Sequence, residues 1–594
     1  MKMRTIAFFI GMFYNSYCLP IKFKNYGEYG MMKMYKKGYG LITILVIMMG
    51  IIWYGSLDTK AAEIAYIKYY TGDKLEAKTT AISNFDPASI SNSITGSLNI
   101  AVRYNYTRVQ LPEGTYQLNQ TLNVPSGITL EGSRDDNGNN LTTLAVPELN
   151  VAGEAHVLNT QALITADSGT DVRNTTIRRL ILDGGWHASS NRLVESQKAI
   201  FLSPFPQSKK AGDGYYKDVQ RKHDISVEDM TIRNFGGSGI YMDFVKDVTI
   251  GEINSDQEEK SNSIESIGYG GIIGYSVDYV KIHNTLISDV GLDGKQAYGI
   301  AVSWYKGTTD ANQLADDDRS RFEDTADGEA LWKQASYTNG YYPSTNVTIK
   351  NNVIMNIASW EALDTHSGKN IKFIGNHVMG VRFPIVVGGM DYEGATISAY
   401  PPENILISEN KINQATDVQC YKPKAISSER GIVATGTQFN DLTKENMGFL
   451  KTLTIKNNEV SDIQTIKNIH GGISIHVTYG AQVLFNRVDH TLFNGLVLMS
   501  SNKKTILENN TVTDMKEAPS NEVSASLGIR GSHNNGNSTN DYLLEPLTDM
   551  GTSFINNILD GSYPSKNIFQ IYQNPVSTSN NMLNFGEMSV VEPK

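Results

Sequence analysis

A phrase with one fixed asparagine between apolar residues constrains the fold of this chain more than any other feature. The phrase reads apolar, two residues, Asn, one residue, apolar, and its closest copies lie 24 residues apart. The copies are Ile349–Asn352–Ile354, Phe373–Asn376–Val378, Ile407–Asn410–Ile412, Ile455–Asn458–Val460, Val483–Asn486–Val488, Leu507–Asn510–Val512 and Phe554–Asn557–Leu559. Such a period is typical of one coil of a parallel β-helix, in which each coil leaves apolar edges that only the next coil can cover.

The fixed asparagine has a structural interpretation. Asn tolerates the left-handed conformation that a tight turn needs, and stacked Asn amides can hydrogen-bond along the axis of a solenoid. We therefore predict that these asparagines hold turns and form a ladder, and that they take no part in catalysis.

A second phrase, which usually begins Gly-Ile, precedes the asparagine phrase. Its second residue is apolar, so alternation along a strand predicts that the third and fifth residues point outward. The fifth positions then form a surface column with neighbours about 4.8 Å apart. This column contains Asp243, Tyr275, Ser303, His366, Gly388, Thr435, His476 and Met499.

Residues 109–134, VQLPEGTYQLNQTLNVPSGITLEGSR, resemble the opening coils of pectin-lyase-like proteins. Together with the asparagine phrases, the resemblance covers residues 105–560. It implies an all-β fold, a single-stranded right-handed parallel β-helix (a solenoid) with loop insertions. Residues 63–104 would form an N-terminal cap and residues 561–594 a C-terminal capping tail, because an open coil is a sticky edge.

The resemblance is less specific for activity, since the superfamily includes pectate lyases, galacturonases, epimerases and phage tailspikes. Arg382-Phe383-Pro384 matches the start of the pectate lyase phrase R-x-P-x-x-R, but Val387 stands where the second Arg belongs. The phrase W-I-D-H is only loosely echoed by Trp360 and Asp364-Thr365-His366. The galacturonase set of paired aspartates with GHG and RIK is not found. These departures argue against classical pectate lyase activity.

A targeting segment lies near the start of the chain. Three lysines precede Leu41–Tyr54, an uncharged and mostly apolar stretch, and Thr59 and Ala61 are placed for cleavage. We predict a signal peptide over residues 31–62, with an uncleaved anchor as the alternative. Residues 1–30 are then an upstream extension that need not be translated. We expect a secreted or cell-surface bacterial protein with no membrane span once the signal is removed.

The charge of the chain excludes one class of partner. The formal net charge is −10, and the acidic excess lies in the residues after the leader. We therefore expect no nucleic-acid partner, because phosphate binding needs a basic face. A polysaccharide is the expected partner of a monomer, and an acidic polysaccharide would need local Arg or Lys, or bridging Ca²⁺.

The coil ASWEALDTHSGKN, residues 358–370, is the strongest candidate for chemistry. Asp364 and His366 are two residues apart on a predicted strand, so both are expected to face outward and to be exposed. His366 would act as base, with Asp364 orienting it or holding a cation. Arg382 would neutralise a uronate, and Glu361 is the nearest second carboxylate for hydrolysis.

Other side chains are predicted to bind substrate. They are Trp304, Tyr305, Lys306, Tyr275, Asp243 and Trp360. Lys306 is an alternative partner for a uronate, and Gly388 and Gly389 are expected to leave a hollow beside His366. An insertion over residues 306–345 would form a wall of the cleft. Its Asp316–Asp318 run could bind Ca²⁺, although it lacks the spacing of a calcium loop.

Three functions fit these features. The first is a carbohydrate-active enzyme, that is, a lyase, hydrolase or epimerase acting on a polysaccharide, which is either uronate-containing or neutral. The alternative is a non-catalytic cell-surface or adhesin-type protein that binds glycan in the same groove. A phage-type adhesin is the third, and it would be expected to form trimers.

Overall fold

The fold is described by a computed structural model of the chain. The structure describes residues 66–79, 87–147, 161–166, 174–186, 197–204, 221–251, 262–291, 296–303, 343–388, 391–392, 395–396, 401–413, 430–436, 449–464, 470–516, 525–530, 551–559, 569–571, 577–579, 582–583 and 590–591. All of them belong to one compact unit, Ala65–Lys594. The predicted signal peptide and the extension before it lie outside the described residues.

The described residues form one helix and 44 strands. Helix α1 is Pro87–Arg103. The first strands are β1 (Ile67–Thr71), β2 (Lys74–Thr79), β3 (Arg108–Gln110), β4 (Gly114–Gln117), β5 (Leu122–Val124), β6 (Thr129–Glu131), β7 (Thr142–Ala145), β8 (Ala162–Ala166), β9 (Thr175–Arg178), β10 (Ile181–Asp183), β11 (Lys198–Leu202), β12 (Lys222–Glu228), β13 (Thr231–Phe235), β14 (Ser238–Asp243) and β15 (Val245–Ile250). The central strands are β16 (Asn262–Ile267), β17 (Gly270–Tyr275), β18 (Asp278–His283), β19 (Thr285–Val290), β20 (Tyr298–Ser303), β21 (Thr345–Lys350), β22 (Val353–Thr365), β23 (Lys369–Ile374), β24 (His377–Val387), β25 (Asp391–Tyr392), β26 (Ala395–Thr396), β27 (Glu403–Ser408), β28 (Lys411–Asn413), β29 (Ile432–Thr435) and β30 (Leu450–Lys456). The last strands are β31 (Glu459–Ser461), β32 (Ile473–Tyr479), β33 (Gln482–Leu484), β34 (Arg487–Asp489), β35 (Asn494–Lys503), β36 (Ile506–Glu508), β37 (Thr511–Thr513), β38 (Ala525–Arg530), β39 (Ser553–Ile555), β40 (Ile558–Leu559), β41 (Phe569–Ile571), β42 (Ser577–Ser579), β43 (Met582–Leu583) and β44 (Val590–Val591).

These strands stack into three parallel ladders, because each coil contributes one strand to each ladder. The first ladder includes β12, β15, β18, β21, β23, β27 and β30. The second includes β13, β16, β19, β22, β24, β28 and β31. The third ladder includes β11, β14, β17, β20, β22, β24, β29, β32, β35 and β38. The chain is therefore a right-handed parallel β-helix, and the predicted fold is confirmed.

The long strand β22 belongs to two ladders. It pairs with β19 through Ile354 and with β20 through Leu363. Its pairing with β24 shifts register between Ile357 and Glu361. A bend in β22 therefore turns the chain from the second ladder into the third, and the coil that carries the candidate residues begins at this bend.

An antiparallel hairpin and one helix precede the parallel coils. Strand β1 pairs antiparallel with both β2 and β3. Helix α1 buries Ile90, Ile94, Leu98 and Ala101 and contacts β3, β4 and β5. The apolar face of α1 therefore packs on the first coil. The boundaries of the N-terminal cap and of the C-terminal tail stay predictions.

The repeated asparagines form a continuous buried ladder. Each side-chain amide donates to the Oδ1 atom of the next asparagine, over 2.9–3.0 Å from Asn352 to Asn557. Each Oδ1 atom that is reached this way also accepts the backbone N–H of the preceding asparagine, as Asn486 does from Asn458. The predicted hydrogen-bonded stack is thus confirmed.

The predicted left-handed conformation lies one residue earlier than the repeated asparagine. Positive φ angles occur at Asn351, Gly375, Glu409 and Asn457, each directly before a ladder asparagine. The two tasks are therefore divided between neighbours, since the residue before supplies the turn and the ladder asparagine supplies the hydrogen bonds.

Within the described ranges, no helix combines the length and the apolar character needed to cross a bilayer.

Candidate functional site

The outer face of the third ladder carries the candidate residues. On this ladder, Ile300, Val302 and Leu363 point into the hydrophobic core. Register pairs Asp243 with Tyr275 and Tyr275 with Ser303, and further along it pairs Thr435 with His476 and His476 with Met499. The fifth positions of the second phrase therefore stack in a column as predicted, but the prediction of a surface column is wrong for Asp243, Ser303, Thr435 and His476, which are buried.

Three chemically active side chains meet on one coil of this face. Glu361, Asp364 and His366 each offer one ligand atom, and these atoms lie within 4.8 Å of one another. We call this group the carboxylate–histidine cluster. Glu361 and Asp364 are three residues apart, which strict alternation would place on opposite faces. They share a face because two consecutive residues between them, Ala362 and Leu363, both lie in the core.

The neighbouring coils give the cluster an apolar setting. Asp364 lies between Ala301 and Val386 in the register of the third ladder. Glu361 lies between Tyr298 and Phe383. Such surroundings lower the local dielectric and strengthen every charge interaction inside the cluster.

The orientation of the His366 ring is set by the next coil. Its Nδ1 atom lies 2.7 Å from the carbonyl oxygen of Gly388. A carbonyl can only accept, so Nδ1 carries the hydrogen and the neutral ring keeps its lone pair on Nε2. That Nε2 atom lies 3.4 Å from Oδ1 of Asp364. Two lone pairs that face each other at this distance require a shared proton or a cation between them.

The two carboxyl groups are buried without ordinary hydrogen-bond partners. Glu361 is 0% exposed and Asp364 is 1% exposed. Among the residues that the structure describes, neither oxygen of Glu361 nor Oδ1 of Asp364 makes a hydrogen bond of good geometry. Burial, and then the charge of Asp364, raise the pKa of Glu361 to about 8, against the opposing charges of His366 and Arg430 and a hydrogen bond with the Trp360 side chain. Burial alone raises the pKa of Asp364 well above its ordinary value.

Two arginines and the Phe383 ring lie beside Glu361 on the following coils, and the Trp360 ring lies on the same strand as Glu361. The guanidinium carbons of Arg382 and Arg430 each lie 4.9 Å from the centre of the Phe383 ring. The ring of Trp360 meets that of Phe383 edge to face at 5.1 Å, and Arg382 lies 5.8 Å from the Trp360 ring. Positive charge and aromatic surface are therefore concentrated on one side of the cluster.

Tyrosines lie on the other side of the cluster. Tyr298, next to Glu361 in register, contacts Tyr269 with ring centres 5.6 Å apart. Burial raises the pKa of Tyr269, a hydrogen bond with Tyr275 lowers it, and the charges of Asp364 and Glu361 raise it further. Tyr269 is therefore within electrostatic range of the cluster. Further along the ladder, the Tyr241 ring lies 5.8 Å from Tyr275.

The prediction that Asp364 is exposed is wrong. Alternation correctly predicts that its side chain leaves the core, but the flanking residues Ala301 and Val386 leave little of it open to solvent. His366 keeps 14% of its side-chain exposure. The cluster is therefore almost entirely buried, and its members are not a pair of solvated side chains.

The predicted glycine hollow is also wrong at Gly388. Its φ angle is +101°, and an added Cβ atom would lie 1.8 Å from the carbonyl oxygen of Thr435. The missing side chain thus allows the next coil to approach closely. Gly389 lies outside the described residues.

The remaining predicted residues are scattered or not described. Asp243 is 3% exposed and lies three coils before the cluster, about 14 Å away by coil spacing. Tyr275 is partly exposed two coils before the cluster. Trp304, Tyr305, Lys306, residues 306–342 of the predicted insertion and its Asp316–Asp318 run lie outside the described residues. Arg430 directly follows an undescribed stretch. It was not predicted from the sequence, because no motif identifies it.

Neither a family model nor a curated protein matches this chain.

Several solved β-helix structures are similar to the chain in fold. The A-module of mannuronan C-5 epimerase AlgE6 from Azotobacter vinelandii shares 11% identity over 84% of this chain and 96% of its own, with a TM-score of 0.44. PfbA, a surface adhesin of Streptococcus pneumoniae, shares 12% identity over 86% of this chain and 91% of its own, with a TM-score of 0.42. The catalytic unit of a GH87 α-1,3-glucanase from Streptomyces thermodiastaticus shares 10% identity over 83% of this chain and 67% of its own, with a TM-score of 0.40. Likenesses at this level carry no argument about activity.

Proposed function

We propose that this protein is an enzyme that acts on an acidic polysaccharide, and that the carboxylate–histidine cluster is its reaction centre. The observation that carries the proposal is the convergence of Glu361, Asp364 and His366 on one coil, buried and without ordinary partners for the carboxyl groups. A structural role would normally pair buried carboxyl groups with donors, because an unpaired buried charge is costly.

The surroundings of the cluster support a sugar chain as substrate. Aromatic side chains that are partly exposed lie on the same outer face from β14 to β20, at Tyr241, Tyr275 and Tyr298, and Phe201 and Phe383 are buried at the two ends of this row. Two coil spacings of about 4.8 Å give the partly exposed row a length of about 10 Å, enough for about two sugar rings. Sugar rings stack on aromatic faces, so a chain laid along the ladder would pass over the cluster.

The arginines favour an acidic sugar. Arg382 and Arg430 flank Phe383, which neighbours Glu361 in register. Because the whole chain is acidic, with a net charge of −10, this local positive charge is what would hold a uronate carboxylate. A carboxylate neutralised in this way makes the adjacent C5 proton easier to remove.

The geometry favours proton abstraction over inverting hydrolysis. Ligand atoms of Glu361 and Asp364 lie within 4.8 Å of each other. Inverting hydrolysis needs carboxyl groups roughly 6.5–9.5 Å apart, with a water molecule and the sugar between them. Retaining hydrolysis, which needs carboxyl groups about 5–5.5 Å apart, matches this distance as well, so the preference for elimination or epimerisation next to a uronate rests on the positive charge of Arg382 and Arg430. The assignment of His366 as its base stays a prediction.

A panel of polysaccharides, both uronate-containing and neutral, tests this proposal. Elimination would raise the absorbance of unsaturated ends together with the number of reducing ends, and hydrolysis would raise only the second. Epimerisation would change the proton NMR spectrum of the polymer without new ends. We expect turnover of a uronate polymer by elimination or epimerisation. Binding to glycans without any turnover would favour the adhesin-type alternative and contradict the proposal.

A further inference from the structure

Three potential metal ligands converge in the carboxylate–histidine cluster. Glu361 and Asp364 supply carboxylate oxygens and His366 supplies an imidazole nitrogen, all within 4.8 Å of one another. Three protein ligands on a single rigid strand end leave room in the coordination sphere for a substrate oxygen or a water molecule.

The hydrogen bond of His366 suits a metal ligand. Its Nδ1 atom donates to the carbonyl oxygen of Gly388 over 2.7 Å. Metal-binding histidines usually donate their second ring N–H to a carbonyl or carboxylate, which fixes the tautomer and aims the free nitrogen. Here the free Nε2 atom faces Oδ1 of Asp364, so its lone pair is already directed at a second ligand.

The carboxyl oxygens have few partners that would explain their burial. Among the described residues, Oδ1 of Asp364 and both oxygens of Glu361 accept no hydrogen bond of good geometry, and the Trp360 side chain is the one group that acts on Glu361 as a hydrogen-bond partner. In their ionised form the two buried carboxyl groups would carry two negative charges, and one divalent cation would stabilise that form, which burial otherwise disfavours.

The ligand set indicates which ion would fit. Ca²⁺ and Mg²⁺ bind almost entirely through oxygen, whereas a mixed set of imidazole and carboxylate suits transition metals such as Zn²⁺ and Mn²⁺. Nε2 of His366 and Oδ1 of Asp364 are 3.4 Å apart. An ion about 2.1 Å from each atom would make a ligand–metal–ligand angle of about 110°, which is close to tetrahedral.

We propose that Glu361, Asp364 and His366 together bind one divalent transition-metal ion, with Zn²⁺ as the best-fitting example. In the metal-bound protein His366 is a ligand, not the base. The ion would join the arginines in polarising the carboxylate of an acidic sugar. This last role rests on the proposed function, but binding of the ion does not.

Calorimetric titration of the tag-free protein with Zn²⁺, after treatment with a chelator, tests the site. We expect one equivalent to bind to the wild type, and Co²⁺ to give the intense visible absorption of a tetrahedral complex. Glu361→Gln, Asp364→Asn and His366→Gln should each weaken Zn²⁺ binding by at least about 10-fold to 100-fold. Ca²⁺ at millimolar concentration should not displace Zn²⁺.

The surface pair of His490 and Asp489 provides the matched control. Nδ1 of His490 lies 3.5 Å from Asp489, so His490→Gln removes a similar carboxylate–imidazole pair away from the cluster and should leave Zn²⁺ binding unchanged. No Zn²⁺ binding by the folded wild type, or equal binding by all three cluster variants, would overturn the proposal. Polysaccharide turnover that survives complete metal removal would reject the role of the ion in the reaction while leaving the enzyme proposal intact. Zn²⁺ binding without turnover of any glycan would reject the enzyme proposal while leaving the metal site intact.

Discussion

At the scale of single residues, Asp243 illustrates how burial controls charge on the outer face of the third ladder. Its side chain is hydrogen-bonded to Ser203 and interacts with the positive charge of Arg221. Burial outweighs both and raises the pKa of Asp243 to about 7. Since a carboxyl group in an unfolded chain titrates near about 3.9, the folded protein holds this proton over a pH range in which the unfolded chain has lost it.

This shift predicts that Asp243 lowers the stability of the folded protein as pH rises. As pH rises from about 4 to about 7, ionisation favours the unfolded chain, and the wild type loses stability by up to about 4 kcal/mol from this group. Asp243→Asn cannot ionise, so its melting temperature relative to the wild type should be higher at pH 8 than at pH 4.5. Asp247→Asn, at an exposed aspartate of the next strand, serves as the control. An equal difference between Asp243→Asn and wild type at both pH values would show that Asp243 does not titrate in this way.

The cluster shows what can be predicted about single residues. Asp364 and His366 stood out because Ala362-Leu363 replaces the usual Gly-Ile pair in this coil and polar residues fill the positions predicted to be exposed. The outward direction of Asp364 followed from alternation, but its burial depends on Ala301 and Val386 from neighbouring coils, which alternation does not report. The position of Glu361 depends on a bend in β22 that places two consecutive residues in the core.

At the scale of elements, the asparagine ladder holds the turns of successive coils in register. An interior member such as Asn458 donates to Ile407 and Asn486 and accepts from Asn410. It is 1% exposed. Each of these buried bonds also satisfies a group that has no access to water, so the loss of one member leaves unpaired groups on two neighbouring coils.

We predict that Asn458→Leu lowers the free energy of unfolding by at least about 3 kcal/mol, because several buried donors and acceptors lose their partners. Chemical denaturation measures the effect. The matched control is Asn457→Gly, one residue earlier, where a φ angle of +55° suits glycine. Stability equal to wild type in Asn458→Leu would show that the ladder contributes little, and a selective loss of ligand binding by a fully stable variant would assign the asparagine a role in the site.

The ladder was predictable because its spacing is visible as a repeat. It was not predictable that the left-handed turn lies at the residue before each ladder asparagine. The left-handed position is occupied by Asn, Gly, Glu and Phe in different coils, for example at Asn457, Glu409 and Phe485. Asn holds this position in four of the seven turns, at Asn351, Asn457, Asn509 and Asn556, so its pattern in the sequence is weaker than that of the ladder asparagine. The asparagine after it is constant because only its amide can both donate and accept along the axis.

At the scale of the whole molecule, the β-helix places the carboxylate–histidine cluster, which we propose as the reaction centre, on the same outer face as a row of aromatic residues. Equivalent strands of successive coils stack in three parallel ladders. The outer face of the third ladder therefore presents aromatic residues on several coils and the carboxylate–histidine cluster on one coil. The fold was predictable from the period of the repeats alone. The location of the protein, the leader and the ends of the β-helix remain expectations, since the sequence features that indicate them lie largely outside the described residues.

The most direct measurement of the central claim compares the turnover number of the wild type with that of Asp364→Asn on a uronate polysaccharide that the wild type converts. Asn preserves the shape of the side chain but removes its charge and its capacity to exchange a proton. We predict that kcat falls by at least about 10²-fold in a protein that remains folded, while His490→Gln keeps full activity. Full activity of Asp364→Asn would place the chemistry elsewhere on the molecule and contradict the account.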